Sequence, residues 1–210
     1  MAESDRRASR DAVRRELSDR IDRKVRDTLL GRRELPEGII SLVFTDVEGS
    51  TAIVRALGDA SARSVLRRHE VVVRTALESN GGIEVERDGD GFMLAFTRGT
   101  RAVTFSVTLH RAIAEEFGPG SEHELKVRIG IDTGEVLAEG HGYFGTTVIR
   151  ASRIAGLAEG GRTLVSEATR SIVEPIASAL AEPVSFRPAG EHELKGLPGV
   201  HSLYEVAAGL

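Results

Sequence analysis

Two acidic residues stand where they can do metal chemistry. Asp46 closes a short apolar run that starts at Ile39, and Asp90 sits inside Asp88-Gly89-Asp90-Gly91, between two further apolar stretches. If the fold brings both to one edge of a sheet, the pair supplies the oxygen ligands that magnesium or manganese prefers and leaves coordination positions for substrate phosphates. Two such ions stabilise the attacking and leaving oxygens of an in-line displacement. An acid after a strand is equally a helix cap, and Asp-Gly equally a tight turn, so spacing alone leaves both uses open. Gly49, Ser50 and Thr51 follow directly and open a helical stretch. Free backbone amides at the positive end of a helix suit a polyphosphate, although Ser and Thr are also ordinary caps.

The elements that must position these residues are read from periodicity. Ile39 to Phe44 predicts a buried strand feeding the turn at 45–51. Residues 50–79 carry helical spacing (Ile53, Val54, Leu57, then Val65, Leu66, Val72, Val73, Leu77) that Gly81-Gly82 terminates. Two short strands, 83–87 and 92–96, flank the Asp-Gly hairpin. A helix over 99–117, strands at 125–131 and 135–138, a helix over 148–157 and a strand at 163–166 follow, with 184–187 and 201–206 as closing strands. Asp132 is expected to shape a turn before Thr133-Gly134. This order predicts an α+β fold, a ferredoxin-like βααββαβ sandwich over residues 37–210.

Ahead of it, residues 1–36 read as a separate helical segment, dense in Arg and Asp, that ends at Leu35-Pro36-Glu37-Gly38. Val13, Leu17, Ile21, Val25 and Leu29 recur every four residues and form one apolar stripe. That stripe suits packing on its own domain or a dimerising or signal-transmitting helix.

Composition narrows the function classes. With 210 residues and 40% hydrophobic content, the chain suits one sizeable domain with a short appendage. It has no cysteine, which excludes a disulfide framework, a thiolate zinc site and a cysteine nucleophile, and suits the cytoplasm. The N-terminus lacks a signal-peptide apolar core and no apolar run approaches the roughly 20 residues that span a bilayer, so no membrane association is expected. A net charge of -4, 4% aromatic residues and no Trp speak against nucleic acid as a partner. His69, His110, His123, His141, His192 and His201 show no zinc-ligand spacing backed by a third ligand.

Three stretches resemble the successive signatures of the class III adenylyl and guanylyl cyclases: Phe44-Thr45-Asp46-Val47-Glu48-Gly49-Ser50-Thr51, Gly89-Asp90-Gly91-Phe92, and Arg128-Ile129-Gly130-Ile131-Asp132-Thr133-Gly134-Glu135-Val136. Phe144-Gly145-Thr146-Thr147-Val148-Ile149-Arg150-Ala151-Ser152-Arg153-Ile154 is similar to the family's dimerisation-arm and arginine motif, and Glu193-Leu194-Lys195-Gly196 to its lysine motif. The resemblance runs from about residue 39 to residue 206 in the family's order. It implies a homodimer that converts a nucleoside triphosphate to a 3′,5′-cyclic nucleotide and pyrophosphate on two Mg2+ or Mn2+ ions. Asp46 and Asp90, with the carbonyl of Val47, would hold the metals, and Gly49, Ser50 and Thr51 the phosphates. Arg153 matches the transition-state arginine, whose fork neutralises charge developing at the α-phosphate. Lys195 matches the lysine that grips the triphosphate. In the family the site lies between subunits, the aspartates coming from one chain and the base-reading residues, Arg153 and Lys195 from the other.

The sequence departs from the adenylyl pattern at three positions. Glu86 stands where the family's adenine-reading lysine is expected, Gly142 where its acidic or polar partner is, and Ile149 where a ribose-orienting asparagine is. A carboxylate only accepts hydrogen bonds, so Glu86 complements the guanine N1–H and exocyclic N2–H and opposes the N1 acceptor of adenine. GTP is therefore expected over ATP; uracil, with its own ring N–H, also satisfies the rule. The competing reading is a pocket that has lost its substrate contacts, leaving a dimeric regulatory or nucleotide-binding module.

Overall fold

The computed structural model describes residues 35–208, so the expected helix of residues 1–36 lies outside the described residues up to residue 34. Strand β1 (Gly38–Val47) is the Ile39-to-Phe44 run extended at both ends. Its interior is buried almost without interruption because helices pack over the faces of the sheet there, while strands on both sides satisfy its backbone. Helix α1 (Ser50–Ser79) follows, broken at Gly58, whose φ of 72° and ψ of 163° are not helical. The expected pair of helices is thus two helical stretches meeting at a glycine, a residue that reaches such angles without steric cost. Strands β2 (Ile83–Asp88) and β3 (Gly91–Phe96) form the predicted hairpin, and α2 (Gly99–Phe117) follows.

The next element corrects the sequence reading. Instead of two strands separated by a turn at Asp132, one strand, β4 (Val127–Glu139), runs straight through. Asp132 lies opposite Leu42 of β1 and is 0% exposed. An Asp-Thr-Gly run reads as a turn only while its buried partner is out of sight; here Arg150, 18 residues on, supplies a guanidinium to it. After β4 come β5 (Gly142–Phe144), α3 (Thr146–Leu157), β6 (Thr163–Ser166), α4 (Glu167–Val173) and a 3-10 turn at Glu174–Ala179. Strands β7 (Val184–Glu193) and β8 (Val200–Ala208) close the chain, both longer than expected.

The sheet order is β2-β3-β1-β4-β6-β8-β7, with β5 paired to β4. The first four strands are antiparallel and carry the βαββαβ crossovers of the predicted ferredoxin-like sandwich; β6 joins β4 in parallel and leads into the β8/β7 hairpin. Val65, Val73 and Leu77 of α1, and Phe105, Leu109 and Ile113 of α2, meet Phe92, Leu94 and Phe96 of β3 in the main core. Truncating one fully buried ring, as in Phe105→Ala, costs about 3–5 kcal/mol, much of a domain's net stability. Helix α3 lies directly on β4, where Gly130 is required: a Cβ there would run into the backbone of Ala155. Among the described residues no helix is long and apolar enough to cross a membrane.

Candidate active site

The hairpin and the end of β1 bring the two aspartates together. The Val47 amide, next to Asp46, donates to Oδ2 of Asp90 at 3.2 Å. A Cβ built on Gly91 would stand 3.8 Å from Oδ1 of Asp46, so that oxygen is turned toward the hairpin carrying Asp90. The other oxygen, Oδ2, accepts from Nε of Arg128 at 2.8 Å and also from Nη2. Register explains the pair, since Asp46 and Arg128 stand directly opposite on β1 and β4. No group of three or more His, Cys, Asp or Glu side chains comes together among the described residues. The carboxylates of Asp46 and Asp90 are hard oxygen donors, the chemistry that fits a divalent ion drawing its remaining oxygens from phosphate and water.

Phe44, Asp46, Glu86, Met93, Arg128 and Ser152 line one groove of about 380 Å³. Glu86 reaches it because Phe44, Met93 and Glu86 are successive cross-strand neighbours on one face, after a bulge between Glu84 and Glu86. The resemblance assigns Glu86 to the partner's half of a composite site; in the structure it lines the Asp46 groove of its own chain. Beside it, Gly49 sits at φ 68° at the mouth of α1, a left-handed position that suits glycine. The Gly49 carbonyl accepts from Ala52 and Ile53, and the amides of Ser50 and Thr51 precede the first intrahelical bonds. Glu48 pins this loop: its amide donates to the Lys126 carbonyl and its carboxylate accepts from the Gly160 amide, both at 2.9 Å.

A second group of predicted residues lies elsewhere. Nε of Arg153 donates to the Lys195 carbonyl at 3.2 Å, so these two are neighbours, both exposed. Ile149, one helical turn before Arg153 on α3, is 42% exposed, and Gly142 on β5 has open space where a side chain would be. None of these four lines the Asp46 groove.

Four residues near the site, Arg128, Asp132, Arg150 and His69, were given no such contacts by the sequence reading. Arg128 had a signal, a lone cation within an apolar strand facing an acid. Asp132 and Arg150 form an ion pair at 2.9 Å with the carboxylate wholly buried; burial pushes the Asp132 carboxyl up, against Ser166 and Arg150, which pull it down. His69 on α1 stacks edge-on to Phe92 at 6.0 Å, and neither ring nitrogen has a hydrogen-bond partner among the described residues. Burial, helped by Arg87, lowers it to about 4, so it is neutral near pH 7.

The sequence pattern of the adenylate and guanylate cyclase catalytic domain matches residues 34–207. The chain belongs to that family. An uncharacterized protein of Mycobacterium tuberculosis is 33% identical over 165 residues, covering 78% of this chain and 54% of that protein. The adenylate cyclase of Podospora anserina is 29% identical over 82% of this chain but only 10% of its own length. The chain therefore spans about half of the mycobacterial relative and a small part of the fungal one. The crystal structure of the guanylate cyclase domain of RhGC from Catenaria anguillulae in complex with GTP superposes with a TM-score of 0.69 at 22% identity, over 82% of this chain and 97% of that one. At that identity the likeness shows the shared cyclase fold.

Proposed function

We propose that this cyclase domain works as a cytoplasmic homodimer that cyclises a nucleoside triphosphate on two Mg2+ or Mn2+ ions, with GTP favoured over ATP. The observation that carries the reading is the hydrogen bond that joins Asp90 to the amide of Val47, next to Asp46, three residues before the first turn of α1 opens at Ser50 without a side-chain cap. Bound there, the two ions would supply a lowered pKa for the ribose 3′-hydroxyl and charge compensation at the phosphates. Asp46, Asp90 and the Val47 carbonyl hold them, while the first turn of α1 binds the polyphosphate. Arg153 faces the α-phosphate as the 3′ oxygen attacks and pyrophosphate leaves, and Lys195 binds the triphosphate. Glu86 accepts from guanine N1–H and N2–H, and Gly142 leaves no acceptor for an adenine amino group.

The separation of the half-sites supports a composite site between two copies. The arm supports the same reading: Ile39, Leu137 and Phe144, 70%, 65% and 66% exposed, share one face of β1, β4 and β5, Leu137 lying opposite Phe144. Apolar surface of this kind marks an interface.

Complementation tests the proposal. Asp46→Asn and Arg153→Ala homodimers are each expected to be inactive, and mixing them restores cyclic product through heterodimers with one intact site. Activity of either variant alone near that of the parent contradicts it. Ile149 favours a second reading, a regulatory module, because an exposed apolar side chain makes no hydrogen bond to ribose; loss of turnover in the parent protein itself, with nucleotide binding retained, is the outcome that reading expects.

A further inference from the structure

We propose that Arg128 is a stand-in cation for Asp46: its guanidinium occupies the carboxylate before a divalent ion arrives, and the ion binds by displacing it. The proposal rests on the metal reading of Asp46 and concerns what that residue does in the metal-free protein.

The geometry is that of competition for one group. Arg128 places both Nε and Nη2 on the same oxygen, Oδ2 of Asp46, while Oδ1 faces Gly91 in the hairpin. The other metal carboxylate, Asp90, is held by a neutral donor, the Val47 amide, which neutralises no charge. Asp46 therefore carries the resident cation of the pair. Direct cross-strand register between β1 and β4 fixes this partner, and Asp46 is the one acid with which Arg128 forms an ion pair among the described residues.

Displacement is sterically open. The Asp46 and Arg128 side chains are each 35% exposed, and both line the groove of about 380 Å³, so the guanidinium has space to leave the carboxylate without disturbing the core. Before the ion enters, the pairing orients the Asp46 carboxylate; it also sets the metal concentration needed to load the site. Because the pair is partly solvated, the competition is modest: a charge-assisted hydrogen bond of this kind shifts an equilibrium by about ten-fold.

Manganese binding in the absence of nucleotide reads this directly, without any turnover. The full 210-residue chain is titrated with Mn2+, the free ion being followed by its paramagnetic resonance signal, for the parent protein, Arg128→Gln and Arg128→Lys. Arg128→Gln is expected to bind Mn2+ about ten-fold more tightly than the parent at an unchanged melting temperature. Arg128→Lys, which keeps the charge but loses the planar fork, is expected to fall between the two, and it carries the test if the glutamine variant does not fold. Equal or weaker Mn2+ binding by a folded Arg128 variant overturns the stand-in role while leaving the metal assignment intact. Mn2+ binding by neither the parent nor the variants overturns the metal assignment of Asp46, and this proposal with it.

Discussion

Asp132 in the middle of β4 and Arg150 on α3 form an ion pair at 2.9 Å, with the carboxylate 0% exposed. The pair ties the strand that carries Arg128 to the helix that carries Arg153. Removing one partner strands a buried charge, which costs about 3–5 kcal/mol, whereas replacing both with apolar residues of similar volume is close to neutral. Arg150→Met is expected to lower the unfolding midpoint in urea strongly, and Asp132→Leu/Arg150→Met to recover most of the loss. A single variant as stable as the parent would show that the pair does not hold α3.

Asp90, proposed above as a metal ligand, also accepts from the Val47 amide. Asp90→Ala is expected to cut cyclase turnover at least 100-fold, in line with the loss of a group acting only in the transition state. Loss of the hydrogen bond costs about 1 kcal/mol of stability, so the variant should remain folded and dimeric by sedimentation. Unchanged turnover removes the two-metal assignment.

Acid sensitivity follows from two histidines. Burial lowers both His69 and His110 to about 4. The unfolded chain takes up their protons near pH 6.5 and the folded chain does not, so stability is lost as pH falls from about 6.5 towards 4, by at most roughly 3 kcal/mol for each residue. Melting temperatures at pH 7.5 and pH 5 are expected to differ, and His69→Leu to shrink the difference. An identical pH dependence in that variant would show that His69 does not contribute.

The exposed arm is the predicted seam of the dimer. Leu137→Asp with Phe144→Asp places two charges on that face and is expected to give a monomer in sedimentation velocity, with turnover lost and the melting temperature little changed. A dimer that survives both substitutions has its seam elsewhere.

Base choice is expected to follow hydrogen-bond sense. Glu86→Lys combined with Gly142→Asp supplies the donor and acceptor that adenine needs, and the ratio of kcat/KM for ATP over GTP should rise by at least 100-fold. An unchanged ratio means that Glu86 does not read the base.

Much of the frame was legible locally. The Asp-Gly hairpin, the helix at 99–117 and the strand at 163–166 are each specified by residues within one element, and they stand where expected. Expectation failed where the deciding partner is distant in sequence. Asp132 read as a turn because Arg150 was not visible as its neighbour, and Arg128 went unnoticed because its partner is 82 residues away. Helix α4, seven residues long, is too short for periodicity to reveal; its one local mark is Ser166, whose hydroxyl caps the Thr169 amide at 3.2 Å. At the site, the family resemblance named Asp46, Asp90, Glu86, Arg153 and Lys195, but only the fold shows that Asp46 and Glu86 line one groove, that Asp90 accepts from the amide next to Asp46, and that Arg153 and Lys195 adjoin each other outside that groove.

The most direct measurement is product identification. The purified protein is incubated with Mn2+ and, separately, with GTP, ATP, UTP and CTP, and the products are identified by mass. Cyclic GMP formed faster than any other cyclic nucleotide, and abolished in Asp90→Ala, is the predicted result; the absence of any cyclic nucleotide from all four substrates would contradict the account.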